Sequence, residues 1–311
     1  MDGDHYPELL VAGDFGTNKY YRNNKDGTFS ELDPGTGQPV IPSSREWTIN
    51  NAHNGMGTTI GDFNGDGLPD WFVTAIWPAF VFESDYWGNG LYINQGNHTY
   101  TEHSGSAGVN DGGWGWGTVA NDFDNDGHTD LVMTNGWPTA DPITGETFVN
   151  ERAYLWLNNG DTTFEETGAL SHFNHTGQGR TLLTLDYDLD GDMDVVILSN
   201  SERIKLLRND LIGGKRRFLH TNWIQIVLDT NGNDALPPHG VGAVITVENG
   251  QLKQTQQVFT GGTFLGQSEL VAHFGLGKKR RVRITVDWGN GRTTRLRGTL
   301  ANQRITIKAP G

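Results

Sequence analysis

Cysteine is absent from all 311 residues, and that absence alone removes a disulfide scaffold, a thiolate zinc or iron–sulfur site and a cysteine nucleophile. Long apolar runs are missing too. No stretch approaches the roughly 18 apolar residues of a spanning helix, so no membrane span is expected. Met1 passes straight into Asp2-Gly-Asp4 with neither the basic nor the apolar region of a signal peptide, so no targeting segment is expected in this chain. Basic side chains are few: 23 Lys and Arg face 37 Asp and Glu, a net charge of −14, and no nucleic-acid partner is expected. The catalytic signatures G-x-S-x-G, H-E-x-x-H and G-x-x-x-x-G-K are also lacking, as is G-x-G-x-x-G after a strand. The chain is therefore read as non-catalytic.

What is abundant is glycine, 43 residues, about twice the usual ~7%. Aspartate outnumbers glutamate 25 to 12, the reverse of a helix-rich surface. Turns and strands are expected. Charge breaks along the chain: residues 1–219 hold 12 basic against 32 acidic side chains, and 220–311 hold 11 against 5. The composition predicts a boundary near residue 215, with a hinge at 213–219 between a repeat region at 1–212 and a second domain at 220–311.

Three segments share the pattern D-x-[DN]-x-D-G-x-x-D: Asp62-Phe-Asn64-Gly-Asp66-Gly-Leu68-Pro-Asp70, Asp122-Phe-Asp124-Asn-Asp126-Gly-His128-Thr-Asp130 and Asp186-Tyr-Asp188-Leu-Asp190-Gly-Asp192-Met-Asp194. Each lies between two apolar stretches, which reads as strand, acidic loop, strand. A second marker recurs as Leu91-Tyr-Ile-Asn94, Leu155-Trp-Leu-Asn158 and Leu206-Leu-Arg-Asn209. A fourth copy opens the chain in mid-loop, with Asp2, Asp4 and Glu8 but no first Asp and no preceding strand. A period near 60 residues with about four short strands per unit describes the blade of a β-propeller.

These repeats resemble the FG-GAP (VCBS) repeats of integrin α-subunit-type propellers, and Gly113-Trp-Gly-Trp-Gly117 running into Asp122 is similar to the cartilage acidic protein 1 group. The second domain resembles the ASPIC/UnbV family through Gly240-Val-Gly-Ala-Val-Ile-Thr-Val247, Gly261-Gly-Thr-Phe-Leu-Gly-Gln267, His273-Phe-Gly-Leu-Gly277, Val286-Asp-Trp-Gly-Asn-Gly291 and Ala301-Asn-Gln-Arg-Ile-Thr-Ile307. It departs from that family at Leu236-Pro-Pro-His239, and at Gly289, where proline is common. The expected fold is all-β: an incomplete, open propeller of about three and a half FG-GAP-type blades, then a small antiparallel β-sandwich-like domain. The resemblance implies a secreted, extracellular or periplasmic protein that mediates adhesion or binds a protein or glycan ligand. Open propeller edges invite self-association.

The acidic loops have their own chemistry. Side chains at positions 1, 3, 5 and 9 and a carbonyl at 7 converge when the chain turns at the glycine of position 6, giving the oxygens that Ca²⁺ prefers. The expected ligands are Asp62, Asn64, Asp66 and Asp70 with the Leu68 carbonyl; Asp122, Asp124, Asp126 and Asp130 with that of His128; and Asp186, Asp188, Asp190 and Asp194 with that of Asp192. About three Ca²⁺ follow. The competing reading is that Asp and Gly merely populate turns, but three loops in register argue for the cation.

Length is gained only in the middle blades, between the ninth loop position and the marker Asn, where Trp77 and Trp137 recur at one offset and Trp87 is added. These are candidate ligand-binding residues on the face opposite the acidic loops, with packing between blades as the competing role. They also carry the alternative function, a lectin or polysaccharide-active enzyme. His172 and His175 are weighed as a transition-metal pair against a solvated connection, and His273 as a structural hydrogen-bonding group. Finally, the basic runs Lys278–Arg283 and Arg292–Arg297 are read as a strip that docks on acidic surface, either the repeat region itself or an acidic partner such as a sulfated glycan, with a solvated sheet edge as the competing reading.

Overall fold

The computed structural model describes residues 3–14, 17–33, 38–39, 54–77, 88–140, 148–200, 202–210, 221–250 and 253–311. Asp2, Trp87 and the expected hinge at 213–219 lie outside the described residues. The chain is all-β. Among the described residues helix is confined to Ser104–Ala107 and a 3₁₀ turn at Pro238–Gly240.

Four antiparallel meanders form in the repeat region. The first holds β1 (Leu9–Val11), β2 (Lys19–Asn23), β3 (Phe29–Asp33) and β4 (Gln38–Pro39); the second β5 (Thr58–Gly61), β6 (Asp70–Val73), β7 (Gly90–Asn94) and β8 (Tyr100–Glu102). The third holds β9 (Gly115–Asn121), β10 (Asp130–Asn135), β11 (Tyr154–Asn158) and β12 (Phe164–Glu166), and the last β13 (Gly179–Leu185), β14 (Asp194–Ser199) and β15 (Lys205–Leu207). Each acidic loop joins the first and second strands of its blade. Among the described residues the blades close no ring. They form the open arc that the repeat count requires.

Blades stack by burying apolar side chains between neighbouring sheets. Tyr20 and Leu32 of the first blade pack on Trp71, Val73 and Tyr92 of the second. Phe72, Leu91 and Ile93 meet Leu131, Met133 and Trp156 of the third, which in turn packs Val132 and Leu155 against Leu182, Val195 and Ile197. First strands approach so closely that a Cβ at Gly57 would clash with the Trp116 carbonyl, and one at Gly117 with the backbone of Arg180 and Leu182. Glycine there is a packing requirement.

The repeated Asp and Asn act together as a latch. Asp130 accepts the Phe123 N–H on Oδ2 and the Asn158 N–H on Oδ1, both at 2.8 Å; Asp70 accepts from Phe63 and Asn94 at the same distances. Asp194 does so from Tyr187 at 3.0 Å and Asn209 at 2.8 Å. The marker amide then crosses to the preceding blade: Asn158 Nδ2 donates to the Phe63 carbonyl at 2.9 Å and Asn209 Nδ2 to that of Phe123 at 2.8 Å. Loop, blade and neighbour are thus joined by one buried pair. Asn158→Ala is expected to cost about 1–3 kcal/mol, because it leaves buried carbonyls without their donor; urea unfolding with no fall in midpoint would contradict this.

The C-terminal part packs two sheets around one core. One sheet orders β19 (Val271–Gly277), β16 (Asn222–Asp229) and β22 (Gln303–Lys308); the other orders β18 (Lys253–Gln257), β17 (Val244–Glu248), β20 (Arg281–Asp287) and β21 (Thr293–Leu300). Ile224, Ile226 and Phe274 of the first meet Ile245, Val247, Ile284 and Val286 of the second. One pair departs from the expected antiparallel scheme: β22 runs parallel to β16, with Ile226 opposite Ile305. A parallel pair needs a long crossover, and here every intervening strand supplies it. At Gly289 the backbone has φ 75°, closed to proline, whose ring fixes φ near −65°.

Candidate metal centre

Each acidic loop is wound by two left-handed residues, at positions 4 and 6: Gly65 and Gly67, Asn125 and Gly127, Leu189 and Gly191. Backbone N–H groups then turn inward onto the carboxylates. Asp62, Asp122 and Asp186 at position 1 accept from the position-6 glycine at 2.9, 2.8 and 3.0 Å. At position 5, Asp66, Asp126 and Asp190 accept from position 7 at 2.7, 2.8 and 3.0 Å. These two bonds recur in all three loops.

Asp122, Asp124 and Asp130 each place a carboxylate oxygen within 4.8 Å of the others, as do Asp186, Asp188 and Asp190. These clusters could hold a metal ion. The first loop assembles no such trio of carboxylates among the described residues: Asn64 stands at position 3 and donates to Asp66 at 2.8 Å. Yet its Asp62 Oδ1 is buried without a hydrogen-bond partner. In the broken first copy, Asp4 instead pairs with Lys25 at 2.7 Å. Asp126 is exposed, and Asp194 sits in its latch outside the trio of its loop. The Leu68, His128 and Asp192 carbonyls remain the expected seventh-position oxygens.

The electrostatics fit a site shaped for a cation. Burial raises Asp62 to about 6 and Asp70 to about 7. It pushes Asp122 and Asp130 well up, with like charge from neighbouring aspartates adding to it. Burial, then Asp126, lifts Asp124 to about 6, and burial lifts Asp194 to about 6. Carboxylates this desolvated and crowded resist ionisation unless positive charge joins them.

The C-terminal sheets sit over these loops, through contacts that no periodic signal announces. Gln225 of β16 donates to Asp186 Oδ2 at 2.8 Å. His273 of β19 lies 2.8 Å from Asn125 Oδ1 through Nε2, and the Asn125 amide donates to Asp192 Oδ1 at 2.9 Å. Because Asn125 Nδ2 is a donor elsewhere, its Oδ1 accepts and His273 carries its proton on Nε2. Burial lowers His273 to about 3, so the ring is neutral. A second anchorage follows the inner strands: Thr263 N–H donates to Thr58 O at 2.6 Å, Thr181 Oγ1 to Phe264 O at 2.7 Å, and Thr184 N–H to Ser268 Oγ at 3.0 Å. The basic strip takes no part in these contacts. Arg281, Arg283, Arg295 and Arg297 are exposed, and Arg283 pairs with Glu248 of its own sheet at 3.2 Å. The arginine strip stays in solvent, and the loops are met by the Gln225 amide and the neutral His273 ring, with Glu269 accepting the Asp186 N–H at 3.4 Å and Lys253 lying beside Gly67.

On the opposite face, β10 runs from Asp130 to Asn135, placing Trp137 at the far end of the strand from its loop. Trp137 stacks on Trp114 at 4.5 Å and 9°, and on Trp116 at 5.9 Å and 8°. The Arg180 guanidinium covers Trp116 at 4.0 Å and is held by Gly136 O at 3.0 Å. Trp77 packs over Gly88 and donates its N–H to Gly113 O at 2.7 Å. His175 contacts Ser199 Oγ at 2.8 Å and Lys205 Nζ at 3.0 Å, and burial lowers its pKa. Removing the Trp137 ring is expected to cost about 3–5 kcal/mol, the range for truncating a packed aromatic, and calorimetric unfolding of Trp137→Ala within 1 kcal/mol of the parent would place the ring outside the core.

The family described as FG-GAP-like repeat matches residues 1–73 and 145–197, and that described as ASPIC and UnbV matches 233–311. The chain is similar to cartilage acidic protein 1 of Xenopus tropicalis, 25% identical over 290 residues, covering 92% of this chain and 40% of that protein. It is similar to cartilage acidic protein 1 of Homo sapiens, 24% identical over 289 residues, covering 76% and 41%, and to that of Mus musculus, 23% over 288 residues, covering 76% and 42%. This chain therefore spans about two fifths of the length of those relatives. No helix among the described residues is long and apolar enough to cross a membrane.

Proposed function

We propose that this chain, which carries FG-GAP-like repeats and an ASPIC and UnbV module, is a non-catalytic, calcium-stabilised binding protein of the extracellular or periplasmic space. One observation carries the reading: three acidic loops with the same internal bonding, two of which hold three carboxylates within 4.8 Å. Calcium supplies charge and a flexible oxygen coordination. The residues to hold it are Asp62, Asn64, Asp66 and Asp70; Asp122, Asp124, Asp126 and Asp130; Asp186, Asp188, Asp190 and Asp194; and the carbonyls of Leu68, His128 and Asp192. Mg²⁺ fits less well, since it keeps its waters and demands strict octahedral geometry.

The organisation we assign is a repeat region at 1–212, a hinge at 213–219 and the C-terminal module at 220–311. The ligand is a protein or glycan met by loops on the rigid arc. The stack of Trp137 on Trp114 and Trp116 favours packing over a free sugar platform, which weighs against the lectin and polysaccharide-enzyme alternative. Self-association is placed at the two ends of the arc, where Leu9 and Leu206 are exposed.

Titration calorimetry tests the metal reading. About three Ca²⁺ should bind with Kd in the micromolar to millimolar range of extracellular modules. Asp124→Ala and Asp188→Ala should each remove one site. Absence of calcium binding, or full stoichiometry in both variants, would defeat the assignment.

A further inference from the structure

Seating the C-terminal module takes carboxylates out of water. Asp122 and Asp186 are each 3% exposed, and both face elements of the module. Gly275 of β19 lies so near the second loop that a Cβ there would clash with Asp122 Oδ2 and the backbone of Asn125. Gly191 of the third loop is covered as tightly by the Trp223 indole. Buried carboxylates are costly unless donors or positive charge meet them. Toward Asp186 the module brings the Gln225 amide. Glu269 also reaches the Asp186 N–H at 3.4 Å, and the Arg304 guanidinium is committed to Gln225 Oε1 and Glu269, each at 2.8 Å. Among the described residues no salt bridge joins Asp122, Asp124, Asp186, Asp188 or Asp190 to a basic side chain. The seated module thus covers more negative charge than it offsets, and a cation in the loops is the complement.

We propose that cation binding in the second and third acidic loops and seating of the C-terminal module form one coupled equilibrium, in which Gln225 is a positioning residue for Asp186 and Asn125 ties both loops to β19. This inference rests on the metal reading above. Asn125 is the joint: its Oδ1 faces His273, its Nδ2 donates to Asp192 Oδ1 and to Gly191 O at 3.2 Å, and its carbonyl accepts the Gly277 N–H at 2.9 Å. A shift of either loop therefore disturbs the other loop and the strand above them. Linkage makes the effect reciprocal: if the cation tightens the seat, the seat tightens the cation by the same factor, commonly about 5- to 150-fold. The anchorage through Thr263, Phe264 and Ser268 contains no ion pair, so loss of the cation loosens the seat without releasing the module.

The absence of cysteine makes the test direct. Leu170→Cys in the repeats and Leu300→Cys in the module, 71% and 52% exposed, carry a spin-label pair in the full chain. With excess Ca²⁺ the pair should give one narrow distance distribution, and with EDTA a broad one. Gln225→Leu, which removes the amide, should shift the calcium midpoint of that change about tenfold, within the usual range of coupling. Ile284→Val, which trims the module core away from the loops, should leave the midpoint in place. If calorimetry records bound calcium while the distribution is the same in Ca²⁺ and EDTA, the coupling is wrong and the metal reading stands. If no calcium binds at all, both fall.

Discussion

Chelation of about three cations with EDTA should lower the melting temperature of the full chain by roughly 16–32 °C. At a hundredfold excess over Kd each cation adds about 2.7 kcal/mol to the folded state, and in a chain of this size each kcal/mol moves the midpoint by roughly 2–4 °C. The pH dependence should invert with the metal. In the chelated protein Asp70 is raised to about 7, and Asp62 and Asp124 to about 6, from 3.8. The folded chain then binds more protons than the unfolded chain between about pH 4 and 7, so stability falls as pH rises through that window. For Asp70 alone the change approaches roughly 4 kcal/mol. With calcium present the carboxylates are held ionised, and stability should instead rise with pH over the same interval. Scanning calorimetry at pH 5 and 7.5, with Ca²⁺ and with EDTA, reads all four corners. A melting temperature indifferent to EDTA at pH 7.5 would end the claim.

Asp130→Asn should destabilise the protein by about 2–4 kcal/mol even without calcium. Asp130 is 1% exposed and accepts two backbone N–H groups, one on each oxygen. Asparagine keeps one acceptor and turns its NH₂ toward the second donor, leaving a buried N–H unmet at a cost of about 1–3 kcal/mol and setting two donors face to face. Asp124→Asn is the contrast. It installs the residue that loop one already has at Asn64, and it relieves repulsion among Asp122, Asp124 and Asp130. In EDTA it should be neutral or stabilising, and in Ca²⁺ it should weaken the second site without removing it, since one carboxylate charge is lost while the ligand oxygen is kept. Denaturant unfolding of both variants under both conditions separates latch from ligand. Equal effects of the two substitutions in EDTA would mean that the ninth position has no structural role of its own.

The blade period, the acidic loops and the strand flanking each loop were legible in the residues, because each depends on neighbours within about ten positions. Glycine at position 6 forces the turn, and the short continuous apolar runs after Asp70, Asp130 and Asp194 read as strands buried on both faces. The marker asparagines were visible as a repeat, but their work was not: Asn158 reaches the Phe63 carbonyl, 95 residues away. The repeat of the same Asn with the same Asp was the available signal. The aromatic insertions were legible as candidate loops, but that Trp137 stacks on Trp114 and Trp116 depends on contacts across loops that no local signal carries.

By itself the sequence determined what short-range geometry controls: an all-β chain, repeats of about four strands each, and loops whose carboxylates crowd together. Only the tertiary structure decided which surface of the C-terminal module meets those loops. The charge pattern pointed to the arginine strip of β20 and β21, yet the contact is made by Gln225, His273 and Gly275. The physical reason is desolvation. Long-range attraction between acidic and basic segments can be read from composition, whereas a buried interface selects shape and individually placed donors and acceptors, and these carry no period by which a sequence reveals them.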